Sequence, residues 1–288
     1  MTRIVETGYG KINLALAITG RRSDGYHDID TVFQSIGLCD TVTLQDADEW
    51  QLTCSVPGLA CDETNLAYKA WQALCPYKKD NQPVAIHIEK NIPIAAGLAG
   101  GSTDCAAVLR GLNRLWGLGL SQADLCHIGT GLGADVPFCI CGGTMRGTGI
   151  GEELRELPPL PDWPVVIVHP HAAVQTKKAY ALFDSRKRTK PIDVDAVERA
   201  VCRSDFQALT ASMGNTFEEL VIPDVPEVAR CQQLLSSSGL RPLMAGSGPT
   251  VFALVPPERE GEIRRQAASW RDVDAYVTKV VKRVEGEA

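Results

Sequence analysis

The chain has 288 residues, of which 44% are hydrophobic and 22% charged, and its formal net charge is −6. That length houses one large or two modest domains, with a core that needs no disulfide or metal staple. The acidic balance excludes a general nucleic-acid binder, which needs a basic face to neutralise phosphates, and no apolar run approaches the roughly 20 residues of a membrane span. With no signal-peptide pattern at the N-terminus, a cytoplasmic protein acting on a small molecule, with no nucleic-acid or membrane partner, is expected. The ten cysteines, from Cys39 to Cys231, contain no C-x-x-C and read as free, mostly buried thiols.

In chain order, Gly10 to Thr19 alternates. Ile12, Leu14, Leu16 and Ile18 point one way; Lys11, Asn13, Ala15 and Ala17 point the other. This predicts a half-buried strand whose polar face offers Lys11 and Asn13. Gly20 and Gly25 then bracket a turn, followed at once by Tyr26 and His27. Val84, Ile86 and Ile88 alternate with Ala85, His87 and Glu89, a second strand. Pro93 to Asp104 is rich in glycine and leads into a helix, on which Cys105, Val108, Leu109, Leu112, Leu115 and Trp116 recur at helical spacing. Ser121 with Asp124 predicts a capping box. Gly131 to Pro137 forms a sharp turn carrying Asp135, and Cys139 with Cys141 suits alternation along a strand. Prolines 158, 159, 161 and 164 mark a connector, which predicts domains at 1–157 and 158–288. Strands follow at Val165–Val168 and Thr250–Val255, with a basic loop at Arg186, Lys187, Arg188 and Lys190 between them. Mixed elements without strict alternation of strand and helix give an α+β class.

The glycine-rich segment carries the chemistry. Gly97, Gly100 and Gly101 let a ligand approach the backbone, and the free amides at the helix start near Ser102 and Thr103 favour an anion. No Lys-Ser/Thr pair follows, so this is not a Walker A loop, and it lacks the G-x-G-x-x-G of dinucleotide binders. The same features equally suit a tight turn at a packed helix start with Ser102 as N-cap. Locally, Lys11 also fits a surface lysine, Asp135 a backbone cap, and Tyr26 a ring under a loop beside an exposed His27.

Resemblance reverses the weight of those alternatives, on three segments for a family and two more for one branch of it. Pro93 to Ala107 resembles the phosphate loop of the GHMP kinases, P-x-x-x-G-L followed by small residues and an alanine-rich helix. Lys11-Ile-Asn-Leu and Ala245-Gly-Ser-Gly-Pro-Thr-Val-Phe252 resemble the other two motifs of that family in the expected order. Ala99, Thr103 and Cys105 stand where the family often has Gly, Ser and Ala. Gly133-Ala-Asp-Val-Pro137 and Asp24-Gly-Tyr-His27 resemble the diphosphocytidyl-methylerythritol kinase branch.

The resemblance implies a two-domain GHMP kinase fold. Its parts are an N-terminal domain like ribosomal protein S5 and a C-terminal ferredoxin-like α/β sandwich, with the site in the cleft between. It implies ATP with Mg²⁺, and phosphorylation of an alcohol on a cytidine diphosphate-linked methylerythritol. Lys11 and Asp135 are the implied catalytic pair, Asp135 accepting the hydroxyl proton. Pro93, Ile94, Ala95, Ala96, Gly97, Leu98, Ala99, Gly100, Gly101, Ser102 and Thr103 are implied to hold ATP phosphates, with Asn65, Leu66 and Lys90 lining the adenine pocket. Asn13, Tyr26, His27, Thr176, Tyr180, Gly246, Ser247 and Gly248 are implied to bind the substrate, Tyr26 stacking on cytosine. With no acidic cluster evident, Mg²⁺ is expected to arrive with ATP, and Ser102 is a candidate ligand. A monomer or weak homodimer is expected. The alternatives are a GHMP kinase for mevalonate, homoserine or a sugar, and a non-catalytic module that keeps the loop.

Overall fold

A computed structural model describes residues 2–79, 82–185 and 190–283. Arg186, Lys187 and Arg188 of the expected basic loop lie outside them. The elements begin with β1 (Arg3–Arg21), β2 (His27–Asp46), β3 (Gln51–Cys54), α1 (Leu66–Leu74) and β4 (Val84–Glu89). Next come α2 (Gly100–Leu115), α3 (Gln122–Thr130), α4 (Val136–Cys141), β5 (Thr144–Thr148) and β6 (Glu153–Glu156). They continue with β7 (Pro164–Pro170), α5 (Thr176–Ser185), α6 (Val194–Cys202), α7 (Phe206–Ser212) and β8 (Gly214–Asn215). The last are α8 (Glu218–Val221), α9 (Pro226–Ser237), β9 (Leu243–Met244), β10 (Val251–Leu254), α10 (Glu260–Ala267) and β11 (Val273–Lys279).

Two compact units are present, and no single cut separates them. One comprises Met1–Gly10, Leu38–Ile94 and Ala99–Cys141; the other comprises Lys11–Gly37, Ala95–Leu98 and Gly142–Ala288. The long strands β1 and β2 each give one half to each unit. The proline-rich connector therefore lies inside the second unit.

In the first unit, β4 pairs antiparallel with β2 and parallel with β3, placing Ile86 beside Leu44 and Leu52. Val84, Ile86 and Ile88 are buried while His87 and Glu89 are exposed, as alternation requires. Helix α2 buries Cys105, Val108, Leu109 and Leu112 on its core face. Its start is set by Ala99, whose left-handed φ of 59° ends the loop and whose carbonyl accepts the Thr103 amide at 2.9 Å. The helix thus begins at Gly100, two residues earlier than expected. Ser121 and Asp124 form the expected capping box of α3. Cys139 and Cys141 lie on α4, not on a strand, because the turn at Gly131–Asp135 leads directly into a helical segment.

In the second unit, β11-β7-β10-β9 form an antiparallel sheet. Every residue of β7 is buried, its Val165–Val168 run lying inside the sheet between β11 and β10. Val166, Val168, Phe217, Leu220, Leu235, Val251 and Ile263 share one core. The strand β8 pairs in parallel with the second half of β1, and β5 pairs with β2. All ten cysteines are free; three are buried, six half-buried, and Cys202 is exposed. Among the described residues no helix is long and apolar enough to cross a membrane.

Candidate active site

The polar face of β1 is buried, which corrects the expected half-buried strand. Lys11 is 4% and Asn13 1% exposed. A buried ammonium needs acceptors, and Lys11 Nζ donates to Asn13 Oδ1 at 3.0 Å. Asn13 Nδ2 donates to Thr31 Oγ1 at 2.8 Å, and that hydroxyl donates to the Ala15 carbonyl at 2.6 Å. The chain of bonds fixes the asparagine's orientation and so the lysine head. The Phe33 ring centroid lies 5.3 Å from the same ammonium.

Around Lys11 the second unit gathers two loops. The Lys11 amide donates to the Leu98 carbonyl at 3.1 Å. Gly97 has φ 77°, and a Cβ there would lie 2.9 Å from the Gly248 carbonyl oxygen and closer still to that of Ala245. Gly246 has φ 54°, and a Cβ on it would lie 3.0 Å from the Gly97 oxygen and 3.6 Å from Lys11 Nζ. Only glycine allows this approach of backbone to backbone. Ala95 and Ala99 also hold left-handed φ values of 55° and 59°. Each such alanine costs about 1–2 kcal/mol, strain of the kind kept at functional loops. Thr176 and Ser247 hydroxyls lie 2.9 Å apart.

His27 is buried rather than exposed. Its Nε2 meets Asp184 Oδ1 at 2.7 Å, and its ring stacks on Tyr180 with centroids 4.6 Å apart. The bond from His27 holds the Asp184 carboxyl below its ordinary range. Tyr26, by contrast, is 60% exposed on its turn. Sequence reading missed Asp184: it is 157 residues from His27, and an aspartate near the end of a helix carries no local signal.

In the first unit, Ser102 Oγ and Leu66 Cδ1 lie 3.9 and 4.0 Å from where a Cβ on Gly133 would stand. Leu66 Cδ1 is 3.8 Å from the corresponding point on Gly101. The turn that carries Asp135 therefore sits against the start of α2 and of α1. Asp135 is half-buried, and its carbonyl accepts the Cys139 amide at 3.0 Å, starting α4. The amides of Gly100, Gly101 and Ser102 precede the first intrahelical donor, and the helix dipole adds partial positive charge at that end.

Three expected nucleotide contacts have their side-chain polar atoms committed elsewhere. Thr103 is buried and its hydroxyl donates to the Tyr9 carbonyl at 2.7 Å. Lys90 Nζ bonds Asp40 at 2.5 Å and Asp104 at 2.7 Å, all three side chains being buried. Burial disfavours the charged lysine, but Asp104 and Asp40 outweigh it and raise its pKa. Burial raises Asp104 to about 7; the pull of Lys90 opposes this and Asp40 adds to it. A Cβ on Gly100 would stand 3.2 Å from Lys90 Nζ, so the ion triad lies beneath the start of α2. Asn65 caps α1, accepting from the Ala67 amide and donating to the Ala60 carbonyl. Among the described residues no group of three His, Cys, Asp or Glu side chains could hold a metal ion.

Amides at a helix start, an ammonium beside a glycine loop and a carboxylate in a fixed turn are the parts that phosphoryl transfer requires. Residues 65–143 match a family model described as GHMP kinases N terminal domain, and residues 197–271 one described as GHMP kinases C terminal. A 4-diphosphocytidyl-2-C-methyl-D-erythritol kinase of Synechococcus sp. is 43% identical, over 93% of this chain and 91% of that protein. Its counterpart in Brevibacillus brevis is 39% identical, over 99% of each. A crystal structure of 4-(cytidine 5'-diphospho)-2C-methyl-D-erythritol kinase superposes with a TM-score of 0.81 at 30% identity, covering 96% of this chain and 99% of that one. The chain belongs to the GHMP kinases and, within them, to the 4-diphosphocytidyl-2-C-methyl-D-erythritol kinase family.

Proposed function

We propose that the chain transfers the γ-phosphoryl group of ATP to the 2-hydroxyl of 4-diphosphocytidyl-2-C-methyl-D-erythritol, in the methylerythritol phosphate route to isoprenoid precursors. The observation that carries this reading is family membership at 39–43% identity over nearly the whole chain, joined to a buried lysine against a glycine-only loop contact. ATP phosphates rest on the amides from Gly100 to Ser102, with Pro93 to Ala99 as the approach. Asn65 and Leu66 line the adenine pocket, and Lys90 supports it from beneath Gly100 rather than by bonding the base. Thr103 serves by anchoring α2 to Tyr9.

Asp135 accepts the proton of the attacking hydroxyl, a contribution of about 10²–10⁴-fold. Lys11 stabilises charge on the transferring group. Mg²⁺ would arrive with ATP, where it would neutralise phosphate charge, and Ser102 would offer it a hydroxyl. Tyr26 closes over the cytosine from its exposed turn, while His27, oriented by Asp184 and Tyr180, presents its remaining ring nitrogen. Asn13, Thr176, Gly246, Ser247 and Gly248 bind the methylerythritol diphosphate portion. The N-terminal, ATP-binding domain of this reading spans 1–157 and the C-terminal domain 158–288. The enzyme works in the cytoplasm, as a monomer or weak homodimer.

A substrate panel tests the reading. ADP release should accompany the cytidylyl compound and be at least about 10²-fold slower with mevalonate, homoserine or galactose, because their binding leaves the cytosine-directed groups unpaired. Turnover confined to one of those three would overturn it.

A further inference from the structure

Asn215 and Glu218 match none of the recognised motifs, yet both end on Met244–Gly246. Asn215 is 3% exposed. Its backbone pairs with Leu16 of β1, the strand that carries Lys11, and the next amide, Thr216, donates to the Leu16 carbonyl at 2.9 Å. Its side-chain amide forks to two carbonyls, Met244 and Gly246, each at 2.7 Å, while its Oδ1 accepts the Phe217 amide at 2.9 Å. Glu218 takes the other side of the same residue: its Oε1 accepts the Met244 amide at 2.9 Å and Gln232 Nε2 at 2.6 Å. Burial raises the Glu218 carboxyl above its ordinary range. Met244 is thus gripped at both its N–H and its C=O, and Gly246 at its C=O. A Cβ on Gly246 would stand 3.0 Å from the Gly97 oxygen and 3.6 Å from Lys11 Nζ, so this glycine borders both.

We propose that Asn215 and Glu218 are positioning residues for phosphoryl transfer, a strut that fixes Met244–Gly246 against Gly97 and Lys11 by tying that loop to β1. The inference rests on the function proposed above. The physical reason is the cost of orphaned carbonyls. Without the Asn215 fork, two main-chain acceptors must find other donors, and the loop swings to reach them. A displacement of 1 Å at a reacting group reduces turnover by on the order of 10²-fold.

The test uses the full chain with ATP and the cytidylyl substrate, and reads kcat per folded molecule, both KM values and Tm. Asn215→Ala and Glu218→Ala should each lower kcat by about 10–100-fold with both KM values within about 3-fold, since position rather than contact is lost. Glu218→Gln keeps an acceptor oxygen for the Met244 amide and should stay within about 2-fold of the parent kcat. A merely structural role would lower Tm and leave kcat per folded molecule unchanged; that result in both alanine variants overturns the proposal. So does a Glu218→Gln variant as slow as Glu218→Ala. If Asn215→Ala fails to fold, the Glu218 pair decides alone. A parent protein with no turnover on the cytidylyl compound overturns the function reading and this inference together; a normal parent with unaffected variants overturns this inference only.

Discussion

Replacing Gly97 by Ala adds one methyl group at the point where its loop meets the Ala245–Gly248 loop. Two costs arise. Ala in a left-handed conformation, here φ 77°, costs about 1–2 kcal/mol. The new Cβ would stand 2.9 Å from the Gly248 oxygen and nearer to the Ala245 oxygen, where ordinary contact is roughly 3.4 Å, and such overpacking costs about 1–3 kcal/mol. Neither neighbour is a flexible side-chain end, so relief requires a main-chain shift of several tenths of an ångström. The loop partner, Ala245–Gly248, borders Lys11, so relief of strain is purchased with position. Gly97→Ala should lower kcat/KM about 10²-fold and lower Tm by roughly 5–10 °C. Coupled ADP-release kinetics and differential scanning calorimetry measure both. A variant with parental kcat/KM and Tm would refute the claim that Gly97 is fixed by backbone contact.

Three further outcomes follow from the same geometry. Asp135→Asn keeps the shape of the turn and removes the proton acceptor, so kcat should fall by about 10²-fold or more with ATP affinity by calorimetry unchanged; near-parental kcat would exclude Asp135 as the base. Gly101→Ala meets nothing closer than Leu66 Cδ1 at 3.8 Å, so the protein should fold normally, yet the methyl group crowds the phosphate approach and should raise the KM for ATP about 10-fold. An unchanged KM would place the phosphates elsewhere. Asp104 titrates at about 7 when folded, against 3.8 as its reference value. Between those values the folded chain holds a proton that the unfolded chain has released, so this group's contribution to stability falls as pH rises through the window. Asp104→Asn should therefore gain in Tm relative to the parent as pH rises from about 4 to about 7, and parallel curves would contradict the raised carboxyl.

Much of the fold is legible because it is local. Val84 to Glu89 alternates in sequence and in burial, Cys105 to Leu112 lines one helix face, and Ser121 with Asp124 caps α3 as a short-range bond dictates. The errors have physical causes. Alternation around Lys11 suggests a wet face, but a strand covered on both sides can bury a lysine when Asn13 and Thr31 relay its hydrogen bonds. Cys139 and Cys141 have strand spacing, yet the turn before them opens a helix. Ala99 reads as a modest change from glycine, though it bears a left-handed conformation that glycine would take without strain. Site residues whose partners lie far along the chain were illegible: Asp184 beside His27, Asp40 beside Lys90, and Asn215 on Gly246. Membership of the GHMP kinases was legible from three short motifs; the commitment of Lys90 to two buried carboxylates was not.

The central claim is that main-chain amides at the start of α2 hold the triphosphate. A crystal structure of the protein with a non-hydrolysable ATP analogue tests it most directly. The account predicts phosphate oxygens about 3 Å from the amides of Gly101 and Ser102. A triphosphate bound away from that helix start, with those amides left to solvent, would contradict it.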